Sequence, residues 1–363
     1  MLKTICNIDT ICILVFIENY EKSAQNILDI LSNEKSKLST NNSKSILTIN
    51  NISFELLQNG CRGYAYILKN AGFEIKISQF QPTINSFSPI QVRISSEYLW
   101  SYGAEKSWQI ISNWIENTFG KIYLNKVCRL DLCCHTSNID FISDYENSYK
   151  GKFKKFDKTF HFGKSINCIT FGSRKGKNIY CRIYNKTLEI KETKKKFWFF
   201  DIWKLHGLDI ENVWNLEFEL KSEFLRSFNI LTFEDCITNI PQLWFYCTSE
   251  WLVKIDRTNS RVNRCPINTD WLKIQKSFST NTDAILINRK KQTSLDAVAL
   301  IPNIIGNITS FCARRKIYDT KKAFKKILVY SLEYLSNKNT TFKNQVLEKS
   351  QLLYEKGDKT YEQ

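Results

Sequence analysis

The chain has 363 residues, 43% apolar and 24% charged, so it is expected to form two or three compact units with a real core, and a disordered chain is excluded. Lys and Arg number 52 against 36 Asp and Glu, and a net charge of +16 favours a polyanionic partner, although abundant Lys, Ile and Asn also mark an AT-rich coding sequence. Twelve Cys without one Cys-x-x-Cys pair, no readable signal peptide, and no apolar run beyond the seven residues Ile11–Ile17 argue against a disulfide scaffold and a membrane partner, and point to a reducing cytoplasm.

In chain order, Ile11–Ile17 reads as a strand and residues 18–31 as a helix. The polar tract Ser32–Ser45 reads as a linker or disordered loop. Period-two alternation predicts strands at Ile52–Leu57, Phe73–Ser78 and Ile90–Ile94. A helix follows, with Trp108, Ile111, Ile115 and Phe119 on one stripe and Gly120 at its C-terminal cap. Further strands are predicted at Tyr123–His135, Ile166–Phe171, Asn178–Lys186 and Val213–Lys221, with a Gly-containing turn from Gly172 to Asn178. Helical periods take over after Glu223, interrupted by a basic irregular stretch at Arg257–Arg264 and ending in an amphipathic helix near Lys321–Leu335. The fold class predicted is α+β: a curved, largely antiparallel sheet flanked by helices, with a helical basic C-terminal region. The expected divisions are residues 1–48 (strand, helix and linker), 49–235 (catalytic sheet domain), 236–345 (basic DNA-recognition region) and 346–363 (tail).

Three of these strands each carry one apolar face and one polar face. VCRLDLCCH presents Arg129, Asp131, Cys133 and His135 opposite Cys128, Leu130, Leu132 and Cys134. NIYCRIYNK presents Tyr180, Arg182, Tyr184 and Lys186, and WNLEFELK presents Asn215, Glu217, Glu219 and Lys221. Were the three strands neighbours, Asp131, Glu217 and His135 would approach Tyr184, Arg182 and Lys186. That set suits metal-assisted phosphoryl chemistry: oxygen ligands for a hard cation, cations for phosphate oxygens and a phenol as nucleophile. A sheet with one solvated, mixed-charge face would show the same alternation.

The order RLD, then GSRKGKNIYCRIYNK, then WNLEFELK resembles the replication initiation factor family of plasmid rolling-circle initiators and related relaxases, as does IQVRISSEYLW at residues 90–100. The resemblance spans about residues 52–278. It implies a site-specific, metal-dependent DNA nicking–closing enzyme in which Tyr184 is the nucleophile, held in a 5′-phosphotyrosyl intermediate, with Tyr180 its competitor on the same face. Asp131 takes the place of the family's first acid and Glu217 the later one, with Glu219 beside it. His135 stands where a second Asp is usual, and imidazole ligates Mn²⁺ better than Mg²⁺. Mg²⁺ or Mn²⁺ is the implied cofactor.

Arg182 and Lys186 flank Tyr184 and are expected to clamp phosphate or depress the phenol's pKa. Arg129, Arg174 and Lys175 are placed for DNA-backbone contact. From Lys254 to Lys343 there are 18 Lys and Arg against 6 Asp and Glu, most of the chain's excess charge. Within it Arg257, Arg261, Asn263 and Arg264 carry donors for guanine edges or phosphates, where the resemblance implies origin discrimination. No G-x-x-x-x-G-K-[ST] loop occurs, so a host helicase is an expected partner. The resemblance also implies a homodimer. A relaxase of an integrative or conjugative element or phage, and a non-catalytic DNA-binding replication or regulatory protein, are the alternatives.

Overall fold

The computed structural model describes residues 3–41, 45–81, 87–154, 156–162, 165–176, 178–278 and 301–355. The fold is α+β. Strand β1 (Thr4–Ile17) leads through α1 (Tyr20–Ser23) into α2 (Gln25–Asn41). Five short strands follow: β2 (Ser45–Ile49), β3 (Ile52–Leu56), β4 (Tyr66–Lys69), β5 (Phe73–Ile77) and β6 (Ile90–Ile94). After α3 (Ser96–Tyr102) and α4 (Ala104–Phe119) come the long β7 (Ile122–Thr136), β8 (Tyr149–Gly151), β9 (Phe156–Phe162), β10 (Ser165–Gly172) and β11 (Ile179–Asn185). Helices α5 (Lys186–Thr193) and α6 (Trp198–Leu205) precede β12 (Trp214–Lys221). The chain continues through α7 (Ser222–Arg226), α8 (Phe233–Thr238), α9 (Ile240–Tyr246), a π-turn at Cys247–Trp251, β13 (Leu252–Lys254) and α10 (Thr269–Gln275). Helices α11 (Ile301–Arg315), α12 (Thr320–Asn337) and α13 (Phe342–Glu355) complete the described chain. Two compact units result, Met1–Arg289 and Lys290–Gln363, the second described by α11–α13. No described helix is long and apolar enough to cross a membrane.

Eleven strands form one antiparallel sheet in the order β2-β3-β4-β5-β6-β1-β7-β12-β11-β10-β9, and β8 pairs with β13 in a second, two-stranded sheet. β1 thus lies inside the sheet, paired with β6 on one side and β7 on the other. The apolar faces of the strands pack against α2, α4 and the α7–α10 region in one large core that includes Leu130, Leu132, Cys181, Ile183, Leu216 and Phe218. A second, smaller core of Ile190, Phe199, Trp203, Leu208 and Val213, with Trp100 and Trp198 packed on it, gathers residues of α5 and α6 and of the segment before β12.

The strands and helices predicted from alternation are present, most within two residues of the expected ends, and Gly120 caps α4 with φ 104°. The polar tract at Ser32–Ser45 corrects the reading, because α2 continues through it to Asn41. Ile27, Leu28, Leu31 and Leu38 are all buried in the core, and Leu38 holds the polar second half of the helix in place. The part of the basic region at residues 279–300 lies outside the described residues, as does the tail beyond 355.

Candidate active site on β7, β12 and β11

The three strands singled out by their alternation are adjacent, in the order β7-β12-β11. Residues directly opposite in an antiparallel pair point to the same face, so the register sets the polar side chains in rows. One row runs Tyr184, Asn215, His135; the next Arg182, Glu217, Cys133; the next Tyr180, Glu219, Asp131. Lys221 and Arg129 form the fourth. The solvated-face alternative does not hold: Asp131 is 1% exposed, Glu217 3%, Tyr184 8% and His135 0%.

Buried charges need partners, and each carboxylate here has them. Arg129 spans Asp131 with Nε and Nη2 (2.8 Å to Oδ1 and 2.6 Å to Oδ2), and the same Nη2 lies 2.9 Å from Glu219. Arg182 donates to Glu217 Oε1 at 2.6 Å. Tyr184 Oη donates to Glu217 Oε2 at 3.1 Å and accepts from Lys186 Nζ at 3.1 Å and from Asn215 Nδ2 at 3.0 Å. The Asn215 amide also reaches Glu217 Oε2, at 3.3 Å. Lys186 is 1% exposed and completes its coordination with Glu189 at 2.5 Å. Local sequence explains its place: Asn185 ends β11 and caps α5 by accepting from the Leu188 amide, so Lys186 begins the helix and turns back toward the tyrosine.

Burial and the neighbouring Glu217 carboxylate push the Tyr184 phenol well above its ordinary pKa, outweighing the opposite pull of Arg182. The expected depression by flanking cations is thereby reversed: the resting side chain is a neutral phenol beside a carboxylate. Asp131 rises to about 7, first through burial and then through Glu217 and Glu219, against the pull of Arg129. Tyr180, opposite Glu219, is also raised by burial.

A groove of about 550 Å³ opens onto this face, with Arg129, Asp131, Arg182 and Glu217 in its lining. Lys69, Arg93, Arg174, Lys195 and Lys196 add positive charge around it. Asp9 joins them from β1, where it is the extra residue of a bulge between Ile8 and Thr10. Burial opposes its ionisation, but Lys196, Lys186 and a 2.7 Å hydrogen bond from Ser96 together lower its pKa. A larger cavity of about 860 Å³ is lined by residues of α3, α4, α8 and α9 and holds none of the predicted site residues.

No family model matches the sequence, and no curated protein matches it. Among solved structures, the chain is similar to one described as "Structure of Rolling Circle Replication Initiator Protein from Geobacillus stearothermophilus". The two are 13% identical, with a TM-score of 0.45, over 80% of this chain and 100% of that one. A likeness at that level assigns no residue and no activity.

His135 stands apart from the carboxylates. Its ring is stacked on Trp100 (5.1 Å, 14°), meets Phe199 edge-on at 4.7 Å, and its Nδ1 accepts from Trp203 Nε1 at 3.0 Å. An indole nitrogen only donates, so Nδ1 is unprotonated and the single proton of the neutral ring sits on Nε2. Burial and Lys186 lower the imidazole to about 3, which keeps the ring neutral, with Nε2 as its donor.

The remaining predicted residues are dispersed. Gly172 opens the GSRK turn with φ 79°, where a Cβ would meet the Ile179 carbonyl oxygen at 2.8 Å. Lys221 Nζ braces this turn by donating to the Arg174 and Gly176 carbonyls, Arg174 approaches Glu219 at 3.9 Å, and Lys175 is exposed. Arg257, Arg261, Asn263 and Arg264 all lie exposed on a loop closed at its base by the Ile255–Ile267 bridge and an Asn268–Asp256 hydrogen bond of 2.8 Å. Buried Cys265 anchors the loop from inside, donating to the Asn259 carbonyl at 3.3 Å. Asn215 stands on the polar face that alternation predicts, but was given no role there; Asp9 precedes Ile11, the expected start of its strand.

Proposed function

We propose that this chain is a DNA nicking–closing enzyme that starts rolling-circle replication of a plasmid, with Tyr184 as nucleophile. The observation that carries the reading is the Tyr184 hydroxyl, which donates to Glu217 while accepting from Lys186 and Asn215. A carboxylate at hydrogen-bond distance is a general base, and an ammonium and an amide on the same oxygen stabilise the phenolate that forms. The raised phenol pKa makes this base necessary, since the free tyrosinate is scarce at neutral pH.

In the reaction, Glu217 takes the phenol proton as Tyr184 Oη attacks the scissile phosphorus. The bond from phosphorus to the 3′-oxygen breaks, and that oxygen leaves with the electron pair and takes up a proton. Tyr184 is left joined to the 5′-phosphate, and a 3′-hydroxyl is freed for a polymerase. Arg182 and Arg129, both in the groove lining, meet the phosphate oxygens. Resealing runs the same steps in reverse.

The donor chemistry suits a hard divalent cation. Asp131 and Glu219 are two buried carboxylates sharing one guanidinium, and Asp131 is raised to about 7, first by burial and then by the negative charge of Glu217 and Glu219. Among the described residues no three His, Cys, Asp or Glu gather in a metal-holding group. Mg²⁺ commonly takes only one or two carboxylates and completes its shell with water and substrate phosphate. Asp131 and Glu219 would hold Mg²⁺ or Mn²⁺, and such an ion would offset charge on the scissile phosphate. The exposed loop bearing Arg257, Arg261, Asn263 and Arg264 reads the origin in this scheme, a second copy of the chain is available to close the cycle, and a host helicase unwinds the cytoplasmic plasmid.

The test is covalent capture. A labelled single-stranded origin oligonucleotide is incubated with protein and Mn²⁺, run on a denaturing gel and mapped by peptide mass. The adduct should map to Tyr184, vanish in Tyr184→Phe and survive in Tyr180→Phe. An adduct on Tyr180, or one that persists in Tyr184→Phe, overturns the assignment; cleavage without an adduct points to water as the nucleophile.

A further inference from the structure

Among the described residues, His135 Nε2 and Asn215 Oδ1 are buried polar atoms of this row without a hydrogen-bond partner. They belong to residues directly opposite one another on β7 and β12. Opposite side chains on one face have Cβ atoms about 5 Å apart, so these two groups are neighbours in the same dry row as Tyr184. Their chemistry is complementary. Trp203 fixes the imidazole proton on Nε2, which makes that atom a donor, and Asn215 Oδ1 is an acceptor. Leaving both unsatisfied in a site with no exposure costs more than pairing them.

We infer that His135 is a positioning residue whose Nε2–H pairs with Asn215 Oδ1 across the β7–β12 register, and that this pairing aims the Asn215 amide nitrogen at Tyr184 Oη. An amide has two ends of nearly the same shape, and only its partners decide which end faces where. Held by Oδ1, Asn215 can present only N–H to Tyr184 and Glu217, at the observed 3.0 and 3.3 Å. Turned over, it would set a carbonyl oxygen against the Glu217 carboxylate and the forming phenolate, opposing the attack. Asn215 is then a catalytic residue, touching the nucleophilic oxygen. The chain of contact runs from Trp203 through His135 and Asn215 to Tyr184. The stacked Trp100 and edge-on Phe199 keep the imidazole from rotating. The catalytic part of this inference rests on Tyr184 being the nucleophile; the hydrogen bond itself does not.

Isosteric variants separate the roles of the two ring nitrogens. In His135→Gln the side-chain amide nitrogen replaces Nε2–H; in His135→Asn the side-chain oxygen replaces Nδ1 and accepts from Trp203, but nothing reaches Asn215. Adduct formation should stay near the wild-type rate in His135→Gln and fall roughly ten- to hundredfold in kcat in His135→Asn, with KM for the oligonucleotide unchanged, as for a misplaced catalytic group. Equal rates in the two variants overturn the positioning role, and recovery of both by excess Mn²⁺ would instead make His135 a ligand. The second measurement needs no activity: ¹⁵N-histidine NMR of the full chain should show His135 as the Nε2–H tautomer, with that proton's resonance displaced in Asn215→Leu. An unmoved resonance removes the hydrogen bond. A displaced resonance in a protein that forms no adduct keeps the hydrogen bond and rejects the nicking reading alone.

Discussion

The polar face shared by β7, β12 and β11 has two ends that differ in kind. At one, the row Tyr184, Asn215 and His135 ends under the aromatic side chains of α3 and α6 that pack on His135, with Lys186 and Glu217 bonded to the phenol oxygen. At the other, Asp131 and Glu219 share Arg129, Arg174 comes within 3.9 Å, and a groove rimmed by lysines and arginines opens outward. The same three strands thus supply a dry end, where polar atoms hold fixed positions, and an open end, where charge meets solvent and ligand. Low dielectric strengthens hydrogen bonds at the first, while at the second salt and pH set the interaction strength.

The largest effect is expected at Glu217, which belongs to both ends. Glu217→Gln keeps the shape and removes the base, so adduct formation should fall roughly 10²–10⁴-fold while oligonucleotide binding persists. A near-normal rate in a single-turnover assay would place the base elsewhere. Next comes the open end. Nicking of supercoiled origin DNA should stop in chelator and return with Mg²⁺ or Mn²⁺, and Asp131→Ala should reduce it by about 10²-fold or more while leaving origin binding intact. Full activity in excess chelator removes the cation from the scheme.

The dry end predicts a pH effect on stability. His135 titrates near 3 in the fold and near 6.5 when exposed, so below pH 6.5 the unfolded chain takes up a proton that the folded chain refuses, and stability falls with pH. Asp131, raised to about 7, acts with the opposite sign between pH 7 and its unfolded value, because there the fold binds the proton. The contribution of His135 is isolated by comparing wild type with His135→Gln, in which the Asp131 effect cancels. Between pH 7 and pH 5 the wild type should lose about 2 kcal/mol relative to the variant in denaturant melts. Parallel curves would mean that His135 titrates normally. The smallest effect is expected on the exposed loop: Arg261→Ala or Arg264→Ala should each flatten the slope of log K against log salt for origin DNA by about 0.9, one phosphate contact apiece. An unchanged slope would move DNA contact away from this loop.

The two-faced character of β7, β11 and β12 was foreshadowed by strict alternation, which is a backbone property and survives any packing; their adjacency was not, because alternation within a strand says nothing of its neighbours. What covers the polar face was not, because alternation separates two sides without saying that Phe199 and Trp203 of a later helix close over one of them. His135 shows the limit sharply. Its position on the strand was read correctly, yet its chemistry is set by Trp203, 68 residues away, which claims the nitrogen that a cation would need. The part of α2 beyond Leu31 was obscured for the opposite reason: one buried leucine, Leu38, keeps a mostly polar stretch docked on a helix already anchored by Ile27, Leu28 and Leu31. β4, β8 and β13, of three or four residues, are too short for periodicity to announce.

The central place of β1 has a kinetic consequence. Its hydrogen-bonding partners, β6 and β7, end at Ile94 and Thr136, so the first strand synthesised waits unpaired for β6 and, on its other edge, longer still for β7. Contacts of such long sequence separation close late and slow folding, because the intervening loop must lose its freedom first. Asp9 reaches the groove only when that closure is made, so the site is completed at one of the last steps of the sheet's assembly rather than inherited from a preformed half. A nascent chain paused before Thr136 would expose the apolar edge of β1, and that stage is where chaperone dependence and misassembly should concentrate.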